Sequence, residues 1–167
     1  MAAHDRTAGA HGPIRIAVIT VSDTRIKSTD ASGAAIRALC EAAGHRIVDS
    51  RILPDESAGV GAALAELVSR KDVDAVILTG GTGISARDRT TEAVVGVLEQ
   101  RLEGFGELFR ALSFQQIGPA AMLSRAVGGI ARGKPVFSLP GSEKAVRLGV
   151  ERLILPELDH ILSQLRG

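Results

Sequence analysis

Three features of the sequence predict an α/β fold of three layers, a mostly parallel sheet with helices on both faces. Strand-like runs alternate with helix-like segments, in rounds of the length that a crossover connection requires. The first such run, "IRIAVITVS" at residues 14–22, is apolar and β-branched without polar alternation, as expected of a strand covered on both sides. The chain of 167 residues is 45% apolar and 23% charged, which suits one domain with a sizeable core.

Residues 1–13, "MAAHDRTAGAHGP", read as a loose tail, and 14–167 as a single domain. After the first strand and a polar loop, Ser32 is placed to cap a helix over 33–43, with Ile36, Leu39 and Cys40 on its apolar stripe. Gly44 ends it, and "HRIVDSRIL" supplies a second strand. Pro54 and Asp55 stop that strand and open a helix over 56–70, expected to pack through Ala62, Leu64, Ala65, Leu67 and Val68. "VDAVILT" is the third strand, and Thr90 or Thr91 starts a helix running to about Arg101. "GFGELFRALSFQQIGPAAMLSRA" reads as two short helices split at Gly118-Pro119, and "VGGIARGKPVFSLPGSE" as two strands around a turn at 131–134. Ser142 caps a last helix to Leu165, kinked or interrupted at Pro156. Its many leucines and isoleucines fit either core burial or packing between subunits.

Right-handed crossovers bring the loops after parallel strands to one edge of the sheet, where the site of such a fold is expected. Asp55 follows the second strand and Asp88 the third, so the two face one pocket. Between them lies "TGGTGISARDRTTE", residues 79–92. It lacks the Gly-Lys-Ser/Thr of a Walker A loop and the spacing of a GxGxxG turn. Its glycines Gly80, Gly81 and Gly83 nevertheless permit a tight turn with N–H groups open to an anion. Thr79 and Thr82 add hydroxyls, and the helix starting near Thr90 adds its positive end.

Asp55 and Asp88 fit two roles: satisfying N–H groups at helix starts, or holding Mg2+ against phosphate oxygens through hard oxygen ligands. Glu107 reads as a solvated first-turn glutamate that can pair with Arg110, beside a core face of Phe105, Leu108 and Phe109. Ser124 and Arg125 are helix surface or anion donors. Ser138, Pro140, Gly141 and Ser142 stand at a tight turn between a strand and a helix start.

Other classes are poorly supported. Lys plus Arg number 20 against 19 for Asp plus Glu, which gives no general field for nucleic acid or an anionic membrane. Tyr and Trp are absent and Phe occurs 4 times, too few for a base-stacking platform. The single cysteine, Cys40, excludes an intrachain disulfide and reads as a core residue. His4, His11, His45 and His160 are scattered, and Ser142 lacks the nucleophile elbow, so neither a zinc cluster nor a hydrolase triad is indicated. With no signal-peptide core and no run of about 20 apolar residues, a soluble cytoplasmic protein is expected.

Taken together, "TGGTGISARDRTTEA", "GFGELFR", "IGPAAMLSRA" and "FSLPGSEKAVRL" resemble, in order and spacing, the molybdenum cofactor biosynthesis protein B/Mog family, which also occurs as the G domain of gephyrin and plant Cnx proteins. The resemblance spans about residues 14–165. Ser142 after Pro-Gly and "GFGELFR" look like the protein B branch, whereas "LSRA" is closer to Mog. The resemblance implies a molybdopterin-binding α/β fold and, in active members, transfer of AMP from MgATP to the terminal phosphate of molybdopterin. It implies that Thr79, Gly80, Gly81, Thr82 and Gly83 serve the pterin-phosphate and nucleotide site. Asp55 and Asp88 match acidic positions for Mg-ATP handling and adenylyl transfer. Glu107, Ser124, Arg125, Pro140, Gly141 and Ser142 match pocket positions. A homotrimer, or a hexamer of two trimers, is implied as well. A non-catalytic molybdopterin-binding or carrier role is the alternative, and a scaffold role, as in gephyrin, a third.

Overall fold

The computed structural model describes residues 12–167; residues 1–11 of the predicted tail, with His4 and His11, lie outside the described residues. β1 (Arg15–Val21) leads to α1 (Ala31–Ala42), β2 (Arg46–Leu53), α2 (Ser57–Ser69) and β3 (Ala75–Thr79). Then follow α3 (Thr90–Val97), a short β4 (Gln100–Arg101), α4 (Glu103–Ile117), a 3-10 helix (Gly118–Leu123), β5 (Val127–Ala131) and β6 (Lys134–Leu139). α5 (Glu143–Gly149), a π-helical stretch (Val150–Ile154) and α6 (Leu155–Arg166) close the chain.

The six strands form one sheet in the order β2-β1-β3-β6-β5-β4. β1 runs parallel to β2 and β3, and β3 to β6, while β5 is antiparallel to both its neighbours. Because β1 sits between β2 and β3, the first two crossovers travel in opposite directions. Kept right-handed, they place α1 and α2 on opposite faces. β1 explains the absent alternation directly: Ile16 and Val18 pack with Ile36, Cys40, Phe109 and Leu158, while Ala17, Ile19 and Val21 pack with Val60, Leu64, Leu67 and Val94. The predicted three-layer α/β architecture is the one observed. The β5–β6 hairpin turns at Arg132 (φ 48°) and Gly133 (φ 69°), the left-handed pair that a two-residue turn needs.

Several local expectations are corrected. Asp30, not Ser32, caps α1, its Oδ1 accepting from the Gly33 N–H at 2.9 Å while Oδ2 accepts from the Thr20 hydroxyl at 2.8 Å. A buried carboxylate is the stronger acceptor, and Ser32 is left for another contact. α2 uses Val60 on its core face, whereas Ala62 and Ala65 are exposed. α3 stops at Val97, since Gln100 and Arg101 are drawn into pairing with Ile130 and Gly129. α4 is one continuous helix ended by Gly118 at φ 66°, and Pro119 starts the 3-10 helix rather than a second α-helix. Leu108 is exposed, so the core face of α4 is carried by Phe105 and Phe109. Pro156 falls in the first turn of α6, where its missing N–H is tolerated, and the π-helical stretch before it absorbs the interruption. Leu148, Ile154, Leu158 and Leu162 are buried within this chain, which decides the last helix in favour of core burial. Cys40 is buried as expected, with burial pushing its thiol up to about 12.

At the far edge of the sheet from the cleft, Asp74 fastens three segments. Its carboxylate accepts from the Arg15 backbone N–H and Nε, each at 2.9 Å, and from Arg166 Nη2 at 2.8 Å. The hydrogen bonds from Arg15 hold this carboxyl below its ordinary value despite its burial. A depressed folded value stabilises the protein above the unfolded carboxylate range and loses that stabilisation as pH falls through the folded value. Asp74→Asn is therefore expected to cost about 2 kcal/mol at pH 7, lowering Tm by about 4–8 °C. It should also flatten the acid limb of the stability curve below about pH 4. Thermal denaturation across pH tests both effects.

Candidate functional site

The turns after β1, β3 and β6 meet at one edge of the sheet and are tied to each other. The Thr79 hydroxyl donates to Pro140 O at 2.9 Å, and the Gly80 N–H to Leu139 O at 3.0 Å. Gly80 has φ 102°, and a Cβ on it would lie 2.2 Å from Val21 O; a Cβ on Gly141 would come 3.4 Å from Gly80 Cα. Gly81 has φ 66°, and its Cβ would stand 2.0 Å from Thr90 Oγ1 and 3.1 Å from Asp55 Oδ1. Glycine is required at 80 and 81 both for backbone conformation and for space.

Over this floor opens a cleft of about 640 Å3, a size ordinary for a small-molecule site. The turns at 80–83 and 140–142 line its base, and Ser22 to Arg25 one side. Phe109, Ser113 and Ile117 of α4, with Leu123 and Ser124, form the other. The N–H groups of Gly81, Thr82 and Gly83 have no acceptor among the described residues. A polar base of backbone donors beneath a partly apolar wall suits a ligand with a ring system and an anionic tail.

The predicted site residues divide. Gly80, Gly81, Thr82, Gly83, Asp88, Ser124, Pro140, Gly141 and Ser142 all line this cleft. Thr79 is buried beneath it with its hydroxyl donated to Pro140, so it braces the turn instead of facing the cavity. Ser142 caps α5, its Oγ accepting from the Ala145 N–H at 3.2 Å. Arg125 spends its guanidinium on the loop, with Nε to Gly83 O at 2.8 Å, Nη2 to Asp88 O at 2.5 Å, and an ion pair to Glu92. It lines a smaller neighbouring cleft of about 320 Å3. Glu107 is exposed on α4 and lines neither cleft, and Arg110 turns instead to the carbonyls of Ser124 and Ala126.

Asp55 and Asp88 stand beside the glycine turn, but the two do not face one pocket as expected: Asp88 lines the main cleft, whereas Asp55 lies behind Gly81 and lines neither cleft. A Cβ on Gly83 would lie 2.7 Å from Asp88 Oδ2, which accepts from the Ser85 N–H at 2.9 Å. Asp55 does not cap α2; its Oδ1 is buried without a hydrogen-bond partner. Burial first, then the negative charges of Asp88 and Asp23, raise its carboxyl above the ordinary value. Nearby, Thr90 Oγ1 is also buried and unpartnered. Residues that the sequence reading passed over are Arg25 and Asp23. Both lie in "SDTR", directly after β1, so the rule that picked out Asp55 and Asp88 would have found them.

A family model described as a probable molybdopterin binding domain matches residues 17–160. The chain belongs to the MoaB/Mog family. It is 48% identical to molybdenum cofactor biosynthesis protein B of Halalkalibacterium halodurans over 153 residues, covering 91% of this chain and 90% of that protein. Among solved structures, a molybdenum cofactor biosynthesis protein B superposes with TM-score 0.90 at 46% identity, covering 92% of this chain and 96% of the other. The tungsten cofactor synthesizing protein MoaB from Pyrococcus furiosus gives 0.83 at 39% identity, with 93% and 98% coverage. This MoaB/Mog chain therefore carries the molybdopterin-binding domain of molybdenum cofactor biosynthesis, and the cleft is its candidate site.

Gly80→Ala tests the crossing of the turns. Backbone strain and the contact with Val21 O are expected to destabilise the fold by about 1–3 kcal/mol and to distort the cleft base. A lower denaturation midpoint together with weakened ligand binding is the expected result.

Proposed function

We propose that this protein binds molybdopterin in the main cleft and adenylylates it with MgATP. The observation that carries this reading is the carboxylate pair at the glycine turn, with Asp55 Oδ1 buried and unpartnered and Asp88 one turn away. Such a pair suits a phosphate-rich substrate carrying a divalent cation.

The residues fit Mg2+. No group of three or more metal-ligating side chains occurs among the described residues, but Mg2+ commonly takes one or two carboxylates and completes its shell with phosphates and water. Asp55 and Asp88 would hold it, and it would supply neutralisation of phosphate charge. The N–H groups of residues 81–83, which line the cleft, would bind phosphate oxygens, and the apolar wall of Phe109 and Leu123 would shield the reacting groups from water. The terminal phosphate oxygen of molybdopterin attacks the α-phosphorus of ATP. A new P–O bond forms, the α–β bridging bond breaks, and diphosphate leaves with that electron pair. Rate comes from positioning and charge stabilisation, without a covalent enzyme intermediate.

The alternative, a molybdopterin carrier without transfer activity, keeps the same cleft. A direct assay separates them: purified protein, molybdopterin, MgATP and pyrophosphatase should yield adenylylated molybdopterin. Asp55→Ala and Asp88→Ala are each expected to lower turnover by about 10²-fold or more. Binding without product would establish the carrier, and undiminished turnover in the double variant would remove the two aspartates from the chemistry.

Asp55 also gives a prediction of sign. Its raised folded value means that the ionised carboxylate weakens the fold above that value, while below the ordinary carboxylate range the effect vanishes. Asp55→Asn should raise Tm at pH 7 while abolishing transfer, with no gain in Tm at about pH 3. Mg2+ should raise Tm of the parent protein and not of the variant.

The protein is proposed to act in the cytoplasm as a homotrimer or hexamer. No helix among the described residues is long and apolar enough to cross a membrane. Phe114, Ile117, Met122 and Leu123 are exposed at the end of α4 and on the 3-10 helix, apolar surface of the kind that self-association covers. Light scattering at micromolar concentration should give a multiple of the 17.4 kDa chain mass; a monomer would overturn the assembly.

A further inference from the structure

Among the side chains lining the main cleft, Arg25 is the single cation and Asp88 the single carboxylate. The two mark opposite ends of the glycine turn. Gly83 lies against Asp88, and Gly80 against Val21 and Gly141. Arg25 belongs to the second end, because its Nη1 donates to Ser32 Oγ at 2.7 Å and Ser32 Oγ donates to Gly141 O at 2.5 Å.

Three neighbouring arginines are already engaged, and Arg89 lines neither cleft. Arg87 is ion-paired with Asp23, Arg125 with Glu92 and two carbonyls, and Arg110 faces carbonyls. Arg25 has no carboxylate partner among the described residues, and the Ser32 hydroxyl is the one acceptor its guanidinium meets. It is half-buried, and Ser32 is fully buried. The Ser22 hydroxyl accepts from the Arg25 backbone N–H at 3.1 Å, folding the loop back onto the strand end. A guanidinium so anchored keeps further donors for a planar, two-point contact, the geometry that matches a phosphate monoester.

Resting on the function proposed above, we infer that Arg25 binds the terminal phosphate of molybdopterin, and that Ser32 is its positioning residue. The cation holds the nucleophile at the Gly80–Gly141 end, while the nucleotide's charge is met at the carboxylate end. This separation keeps the two phosphate groups, each repelling the other, on distinct partners before transfer.

The test measures binding of molybdopterin and of its dephosphorylated form to the full chain, without nucleotide or metal, for the parent protein and for Arg25→Gln, Arg25→Lys and Ser32→Ala. KM for ATP is measured in parallel. Arg25→Gln is expected to weaken molybdopterin binding by about 10–100-fold and to leave the dephosphorylated ligand unchanged. Arg25→Lys should recover part of the loss, charge being kept and the fork removed. Ser32→Ala should weaken molybdopterin by about 3–10-fold in the parent and add nothing to Arg25→Gln, since it acts through the arginine. Equal loss for both ligands would make Arg25 a structural residue, and a loss confined to ATP would assign it to the nucleotide; either overturns the inference. If Arg25→Gln fails to fold, Arg25→Lys with unchanged molybdopterin affinity and unchanged ligand discrimination overturns it as well. A parent protein that binds no molybdopterin would instead defeat the underlying function. Intact parental binding with an indifferent Arg25→Gln defeats only the role of Arg25.

Discussion

The structure depends on the close crossing of three chain segments at Gly80. Its backbone lies so near Val21 O that no Cβ fits, it donates to Leu139 O, and Gly141 passes beside it. Strands β1, β3 and β6 are neighbours in the sheet, so their carboxyl ends must diverge somewhere to leave room for a ligand. Pinning the base at Gly80 moves that divergence outward, to the loops at 22–30 and 83–89 and to α4. The sheet supplies a rigid floor, and the variable chemistry stands on segments that leave it.

Charge is distributed with the same logic. Around the cleft most basic groups are satisfied internally: Arg125 by the carbonyls of its own loop, Arg87 by Asp23, and Arg110 by the chain after the 3-10 helix. These contacts hold loops that have little apolar surface of their own. Asp55 and Arg25 differ. One has a buried oxygen without a donor, and the other a guanidinium without a carboxylate. An unpartnered buried carboxylate oxygen costs stability, and it is expected where a cation completes the contact.

Much of the fold was readable because it follows from period and punctuation. Unbroken apolar runs at β1 and β3, glycine at 44 and Pro-Gly at 140–141 fix the strands and their ends. What escaped depended on competition between neighbours. Ser32 and Asp30 are both good caps, and only tertiary contact shows that Asp30 wins while Ser32 turns to Gly141. Helix α3 reads onward past Val97, but β5 offers an edge that captures Gln100 and Arg101. At the site, sequence position after a strand located Asp55 and Asp88 and the turn between them. It could not separate Thr79 and Arg125, which brace the loops, from residues that line the cleft, because both kinds lie on the same segments. Glu107 came from resemblance alone, and no contact of the chain brings it to the cavity.

The outer rim of the cleft is built from the exposed end of α4 and the 3-10 helix. Ile117 and Leu123 line the cavity and are also exposed, as are Phe114 and Met122 on the same segment. Gly118 at φ 66° and the 3-10 turn that follows aim these side chains outward, while Phe109 and Ala121 anchor the same segment in the core. A surface covering Ile117 and Leu123 would close the open side of the cleft and exclude water from its apolar wall. The base of the site is complete within one chain, because sheet topology builds it.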